Sequence, residues 1–361
     1  MRSYKILAFW FLSVLSTVAG SDRKNYDIVG LGSAFIDYIM RVNEDELSGM
    51  KCSKGSSGII EYSSLRSLIQ EHNQKMISKP GGSSANVVKG LARLGQKCAV
   101  FGKIGSDEHT HFYLKSLERL DITPLLHQGA LPMGQAICFI TPDGQSTTRI
   151  YQGSSHDLSE VDLDPTVFEK IRLFHMEGYQ LQSLPFVEKA LNLACKNGAK
   201  VSIDLSSVAT VKCYKDILLN ILPKYIDIIF ANEEEAFELT HLSPQEACDF
   251  LATMCEVAVV TMGDKGSWVK KGNIKFYTPA FPVKVADPTG AGDLFASGFL
   301  HAYLHEASLP MCAQLGSYIA SKVVQHYGSE IPEEEWKSIY DFLDAQGFNA
   351  IAVRYNKSHS Q

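Results

Sequence analysis

The segment DPTGAGD at residues 287–293 places two acids, a hydroxyl and two glycines directly before an apolar run. The apolar run predicts a helix that begins near Gly290, which leaves the amides of residues 290–293 unpaired. Such amides and the helix dipole bind negative charge, and glycines let a phosphate approach the backbone. Asp293 has the wrong charge to bind an anion, but it can accept the proton of a hydroxyl that attacks phosphorus. The competing interpretation is an ordinary helix cap.

A second polar motif, GGSSANVVKGLARLG, occupies residues 81–95. Its apolar residues share one helical face, and Gly95 is placed as a C-cap. Gly82 permits close backbone approach, and Asn86, one turn into the helix, offers both a donor and an acceptor. We therefore expect Asn86 to hold sugar hydroxyls, although an exposed first-turn asparagine would have the same spacing.

The third motif, FANEEEAFELT, begins where an apolar segment ends at Asn232. Glu235 lies three residues further on, so both side chains can face the ligand edge of a sheet. Carboxylate and amide oxygens suit Mg²⁺, usually through water. An N-cap followed by first-turn acids explains the same residues without any ligand.

The fourth motif, VVTMGDKGS, has Thr261 at the end of a predicted strand and Gly263 and Gly266 in the turn that follows. A glycine turn of this kind is common between a strand and a hairpin, so alone it is weak evidence for a nucleotide site. The chain contains no GxxxxGK[ST] sequence. Phosphates must therefore be held by something other than a P-loop.

The elements that must position these motifs alternate between strands and helices from about residue 171 to residue 261, which predicts a parallel sheet with helices on both faces. Two segments, around residues 135–153 and 267–280, read as β-hairpins. We predict one α/β domain over residues 26–345. A small β lid is inserted at about residues 37–62 and 133–152.

Composition excludes several classes of protein. The chain has 361 residues, 45% of them hydrophobic, and a net charge of −6, which argues against nucleic acid as a partner. Its eight cysteines are scattered, so neither a disulfide framework nor a zinc site is predicted. Residues 1–21 resemble a secretory signal peptide, but an upstream start site would also explain them. The polar residues 346–361 read as a frayed tail.

Together, the motifs resemble the signatures of the ribokinase-like (PfkB) carbohydrate kinase family. GGSSANVVKGLARLG and DPTGAGDLFASGFL resemble its two signature motifs, NEEE its N-x-x-E motif, and TMGDKGS its nucleotide loop. They occur in the family's order, and the resemblance covers roughly residues 26–345. TPDGQSTTRIYQGSSHDLSEVDLD, HMEGYQL and VVQHYGSE look most like bacterial adenosine-kinase-type members. Pro288 is one departure, since the family usually has threonine there.

The resemblance implies a three-layer ribokinase-like fold: a central, mostly parallel sheet with helices on both faces and a small β-sheet lid. It implies transfer of phosphate from ATP to a hydroxymethyl group, with Mg²⁺ and K⁺ as associated cations and adenosine as the favoured acceptor. Carried onto this sequence, the catalytic base is Asp293 and the anion hole is Gly290, Ala291 and Gly292. The ATP site comprises Asn232, Glu235, Thr261, Gly263 and Gly266, with Glu235 acting indirectly on Mg²⁺. The acceptor site comprises Asp37, Gly82 and Asn86, and a monovalent cation would lie at Asp287 and Thr289.

Two other functions stay open at this point. One is a kinase for another carbohydrate, such as ribose, fructose or a keto-deoxy sugar acid. The other is a secreted, non-catalytic ligand-binding protein on the same fold, which the signal-like residues 1–21 favour. The motifs favour a kinase acting in the cytoplasm, with export as the alternative. We expect a monomer or homodimer that binds ATP and a small sugar or nucleoside, without nucleic acid or stable membrane association.

Overall fold

A computed structural model of the protein describes residues 26–50 and 52–348. The signal-like segment 1–21 and residues 349–361 of the predicted tail lie outside this range. Within the described range, no helix combines the length and the apolar character needed to span a bilayer.

The strands and helices follow one another in a mixed order along the chain. The strands are β1 (Ile28–Leu31), β2 (Phe35–Arg41), β3 (Ser57–Ile59), β4 (Met76–Gly81), β5 (Cys98–Ile104), β6 (Thr123–Gln128), β7 (Gly134–Ile140), β8 (Ser146–Tyr151), β9 (Leu173–Glu177), β10 (Lys200–Asp204), β11 (Ile228–Asn232), β12 (Val257–Thr261), β13 (Ser267–Lys271) and β14 (Ile274–Thr278). The helices are α1 (Glu44–Gly49), α2 (Tyr62–His72), α3 (Ser83–Arg93), α4 (His109–Glu118), α5 (Leu184–Lys196), α6 (Val208–Tyr225), α7 (Glu233–Thr240), α8 (Pro244–Leu251), α9 (Ala291–Leu304), α10 (Leu309–Val323) and α11 (Glu333–Ala345). Short 3₁₀ turns include Gly178–Ser183 and Gly263–Lys265.

The larger sheet has the strand order β14-β13-β12-β11-β10-β9-β1-β5-β6. Its strands from β12 to β6 pair in parallel, and the β13–β14 hairpin extends it antiparallel. One face carries a core shared with α3, α9, α10 and α11, and the other carries a core shared with α5, α6, α7 and α8. The predicted mostly parallel sheet between two helical layers is therefore confirmed.

The smaller sheet has the strand order β3-β8-β7-β2-β4. It contains the predicted hairpin, β7–β8, and also β4, which lies outside the two segments expected for the lid. Strand β4 escaped prediction because MISKPG mixes apolar and polar residues and ends in proline and glycine. Pro80 is tolerated because β4 is an edge strand. Helix α2 packs Leu65 and Ile69 onto one face of this sheet.

The larger sheet changes its winding direction between β9 and β1. Helix α3, which follows β1 along the chain, packs on one face, whereas α5, which follows β9, packs on the other. In open parallel sheets a crevice forms at the carboxyl ends of the strands at such a point. Strand β1 ends there at Leu31 and β9 ends at Glu177. The crevice lies beside the smaller sheet, which begins at Phe35.

Candidate active site

The N-terminus of α9 presents free backbone amides, as the sequence predicts. Gly290 precedes the helix with a φ of 79°, and a Cβ there would lie 2.6 Å from Cβ of Ser329, so only glycine fits. In the described part of the chain, the amides of Gly290, Gly292 and Asp293 have no hydrogen-bond partner. The amide of Ala291 donates instead to the carbonyl oxygen of Pro288 at 3.1 Å. Three of the four predicted amides are therefore available to an anion.

Asp293 stands in the first turn of α9 with both carboxylate oxygens engaged. Oδ1 accepts a hydrogen bond from Ser83 Oγ at 2.7 Å, and Oδ2 accepts one from Asn86 Nδ2 at 2.8 Å. Burial raises the pKa of Asp293, and these two donors partly oppose the rise because they stabilise the ionised form. A carboxylate with a raised pKa that faces an opening suits a general base.

The opening in front of Asp293 is a cavity of about 280 Å³. Its walls come from the start of α9, from the carboxyl ends of β10, β11 and β12, and from the start of α3. The lining residues are Ser83, Tyr179, Asp204, Ser206, Phe230, Ala231, Asn232, Glu235, Thr261, Pro288, Gly290, Ala291, Gly292, Asp293 and Phe295. The fold thus brings residues of three of the four sequence motifs to one space, together with Ser83, the first residue of α3, from the fourth motif.

Asn232 and Glu235 form a reciprocal capping box at the start of α7. Asn232 Oδ1 accepts from the amides of Glu234 and Glu235, while Glu235 accepts from the amide and the side chain of Asn232, at 2.9 and 2.8 Å. Burial raises the pKa of Glu235 to about 7, despite the opposing bonds from Asn232. The cap interpretation of this motif is therefore correct, and both side chains also line the cavity.

Of the fourth motif, Thr261 at the end of β12 lines the cavity, whereas no residue of the turn that follows, residues 262–266, does so. Gly263 is exposed, with a φ of 56°, and it begins a 3₁₀ turn. Gly266 has a φ of 101°, and a Cβ there would lie 2.1 Å from the carbonyl oxygen of Thr278. Gly266 is therefore required by the β13–β14 hairpin, whatever its relation to a nucleotide.

The residues predicted to hold the acceptor come from the lid and from α3. Gly82 has a φ of 105°, and a Cβ there would lie 2.0 Å from the carbonyl oxygen of Ser33. Asn86 is buried, and its Oδ1 has no hydrogen-bond partner among the described residues. Burial raises the pKa of Asp37 to about 7; the carboxylate of Asp293 adds to the rise and Lys89 opposes it. Asp37 therefore lies close enough to Asp293 for repulsion between the two carboxylates to favour the protonated form of Asp37.

Asp287 is fully buried behind the loop that leads into α9. Its oxygens accept from the amide of Thr289 at 2.9 Å and from the amide of Gly328 at 2.8 Å. It therefore ties the loop to the segment after α10. Nowhere in the described chain do three or more His, Cys, Asp or Glu side chains come together in a way that could hold a metal ion.

Among the cavity residues that the sequence analysis missed, two carry ionisable groups, Asp204 and Tyr179. Asp204 ends β10, and burial raises its pKa well above the usual carboxyl value, with added repulsion from Glu235 and Asp293. Tyr179 follows β9 and donates from its hydroxyl to the carbonyl oxygen of Ser206 at 3.0 Å. The signal for Asp204 was available, because an acid closes the apolar run KVSID just as Asn232 closes the next strand.

The model of the pfkB family of carbohydrate kinases matches residues 59–336. The chain belongs to this family. Among its relatives, the cytidine kinase of Thermococcus kodakarensis is 28% identical over 280 residues, covering 75% of this chain and 96% of that protein.

Two solved structures are similar over most of this PfkB kinase. A probable sugar kinase from Rhizobium etli has a TM-score of 0.82 and 28% identity, covering 90% of this chain and 99% of that one. The adenosine kinase of Sinorhizobium meliloti has a TM-score of 0.81 and 27% identity, covering 88% and 99%. The implied ribokinase-like fold is thereby confirmed, and the protein is a sugar or nucleoside kinase.

Proposed function

We propose that this PfkB kinase transfers the γ-phosphoryl group of ATP to the 5′-hydroxymethyl group of a nucleoside, with adenosine, giving AMP, as the first candidate. The observation that carries the transfer is the position of Asp293. It lies beside the free amides of Gly290 and Gly292 and is fixed by Ser83 and Asn86. A general base and a set of free amides that can bind an anion thus lie together at the start of α9, as phosphoryl transfer requires.

The reaction needs one proton acceptor and one stabiliser of negative charge. Asp293 takes the proton of the acceptor hydroxyl as the oxygen forms its bond to the γ-phosphorus. The bond from the γ-phosphorus to the bridging oxygen breaks, and ADP leaves with that oxygen. The amides at the start of α9 face the charge on the transferring group, because they point out of the helix toward the cavity.

The residue types that line the cavity suit the phosphates of ATP. Asp293, the pair Asn232 and Glu235, and Thr261 line a single space. Mg²⁺, when bound with ATP, neutralises charge on the phosphate oxygens. Both Glu235 oxygens already accept hydrogen bonds from Asn232, so Glu235 would act on Mg²⁺ through water rather than directly.

The lid face that carries Asp37 supports a nucleoside rather than a free sugar. Side chains in register lie on one face of a sheet. Asp37 is paired with Ala136 on the neighbouring strand, Ala136 is paired with Ile150, and Ile150 is paired with Ile59. We call Ala136, Ile150 and Ile59 the apolar row; Ile59 is 69% exposed. With strands about 4.8 Å apart, the row extends far enough to cover a planar base while Asp37 holds the ribose hydroxyls.

The loop around Asp287 supports a monovalent cation site, K⁺ being the candidate. Among the described residues, the buried Asp287 carboxylate has only backbone amides as hydrogen-bond partners. The hydroxyl of Ser329, beside Gly290, is buried with no partner in the described chain. Thr289 would contribute from the same loop. Replacing K⁺ by Li⁺ or choline in the assay should lower turnover. Unchanged turnover in all three salts would contradict a cation site at Asp287.

The decisive experiment measures ADP formation with ATP, Mg²⁺ and a panel of acceptors. The panel contains adenosine, cytidine, ribose, fructose and a keto-deoxy sugar acid, with 5′-deoxyadenosine as the matched control that lacks the reacting hydroxyl. We expect adenosine to give the highest kcat/KM and 5′-deoxyadenosine to inhibit without turnover. Turnover of a hexose with adenosine inert would overturn the nucleoside proposal but keep the kinase. No turnover with any acceptor of the panel would overturn the proposed transfer to these compounds.

A further inference from the structure

Glu177 is a fully buried acid at the switch point between β9 and β1. Oε1 accepts from the amide of Ser33 at 2.7 Å and from Gln180 Nε2 at 3.1 Å. Oε2 accepts from the amide of Ser84 at 2.9 Å. No basic side chain pairs with Glu177 among the described residues. Burial raises the pKa of Glu177, and the N–H donors from three separate segments of the chain oppose that rise because they stabilise the ionised carboxylate.

The two backbone amides that Glu177 accepts from belong to the two segments that build the acceptor side of the site. Ser84 is in the first turn of α3, directly after Ser83 and two residues before Asn86, which hold Asp293. Ser33 lies in the link between β1 and the first lid strand, and its carbonyl oxygen is the atom that Gly82 approaches. Glu177 therefore joins the lid link to the helix that orients Asp293.

The buried space around Glu177 accommodates its carboxylate because the neighbouring residue 32 is a glycine. A Cβ at Gly32 would lie 2.6 Å from Oε2 of Glu177 and 2.5 Å from Cβ of Ser84. Glycine at this position leaves the room that the acid occupies. Because Glu177 has 0% exposure, it cannot touch a substrate in this arrangement. Any effect it has on turnover must pass through the segments it holds.

We infer that Glu177 is a positioning residue for phosphoryl transfer, which fixes the first turn of α3 so that Ser83 and Asn86 remain hydrogen-bonded to Asp293. The inference rests on the proposed role of Asp293 as base. Without the Glu177 carboxylate, the amide of Ser84 loses its acceptor and the turn can shift. Asp293 then loses donors that stabilise its ionised form, so it takes up its proton at higher pH.

The test compares Glu177→Gln with wild type in the pH profile of kcat/KM for the best acceptor of the panel. A glutamine places an amide group against one of the two backbone N–H donors, so it cannot satisfy both. We expect kcat to fall by about tenfold to a hundredfold and the acidic limb of the profile to move up by about half to one pH unit. The ATP dissociation constant should stay within about twofold. The acids that face Asp293 from other elements, Asp37 and Asp204, are unchanged.

Glu246→Gln is the matched control. Glu246 also caps a helix, accepting from the amide and hydroxyl of Ser243, but it lies at the start of α8, which contributes no residue to the cavity. It should lower the melting temperature without moving the pH profile. If Glu177→Gln does the same, Glu177 is merely structural and the inference fails.

Gln180→Ala covers the case in which Glu177→Gln does not fold. It removes one donor to Glu177 and leaves the carboxylate in place, so we expect a smaller shift of the acidic limb in the same direction. An unmoved profile in this variant contradicts the inference. Failure of the proposed function looks different, because the wild-type protein itself would then turn over no acceptor.

Discussion

Asn86 donates a hydrogen bond from Nδ2 to Oδ2 of Asp293 at 2.8 Å, although the two residues are 207 positions apart in the chain. The bond joins the first turn of α3 to the first turn of α9, and the bond from Ser83 reinforces it. Both helices pack on the same face of the larger sheet. The orientation of Asp293 therefore depends on how two helices lie relative to each other, and not on its own loop alone.

Replacing the proposed base by its amide tests this arrangement most directly. Asp293→Asn keeps the size of the side chain but removes the proton acceptor, so kcat should fall by about 10² to 10⁴. ATP binding should persist, because the free amides of α9 remain. Steady-state kinetics and calorimetric titration with ATP measure the two quantities. Near-normal turnover would exclude Asp293 as the base.

The glycines at 290 and 292 should respond differently to the same substitution. A Cβ at Gly292 meets no atom within 4 Å, so Gly292→Val should fold normally and lose turnover by crowding the anion site. Gly290→Val forces a side chain onto a residue with a φ of 79° and against Ser329, so it should lower the melting temperature. Thermal melts and kcat of both variants separate the two effects. A fully active Gly292→Val protein would show that the loop does not hold phosphate.

Asp37 should make the stability of the protein depend on pH. Its folded-state pKa is raised from 3.8 to about 7, mainly by burial, so its contribution is present below pH 3.8 and is lost as pH rises through 7. Asp37→Asn removes this loss. The stability advantage of the variant over wild type should grow by on the order of 1 to 2 kcal/mol from pH 5 to pH 8, while binding of the acceptor weakens. Urea unfolding at both pH values measures the gain; Asp164→Asn, at an exposed cap, is the control.

Lys89 and Glu330 should show coupled effects on stability. Lys89 is buried, donates to the carbonyl oxygen of Pro80 at 2.6 Å, and lies 3.5 Å from Oε1 of Glu330. Glu330→Gln leaves this cation with a weaker partner and should cost about 2 kcal/mol, less than for a fully buried pair because the Glu330 side chain is 35% exposed. Adding Lys89→Met should recover part of that cost. Strictly additive losses in urea unfolding would mean that the two residues do not interact.

Much of the larger sheet could be predicted from local pattern. Apolar runs ending in Asn232 and Thr261 predicted β11 and β12, and glycine after an apolar helix face predicted the end of α3 near Gly95. These signals are local, because hydrophobic periodicity and turn residues act over a few positions. Strand β4 was missed because its own sequence carries no local signal for a strand. Its place is set by pairing with β2 rather than by its own sequence.

The sequence by itself determined which residues can do chemistry. These are Asp293 at the start of an apolar helix, the glycines that leave the amides at that helix start accessible, and Asn232 with Glu235 at the end of a strand. Only the tertiary structure decided what those residues touch. Asn86 is hydrogen-bonded to Asp293, and Gly266 is required by the hairpin that follows β12. Asp204 lines the cavity, and Glu177 accepts a hydrogen bond from the first turn of α3. Such partners come from distant segments that meet at the carboxyl edge of the sheet. Long-range packing brings these segments together, and the spacing of residues along the chain does not predict such contacts.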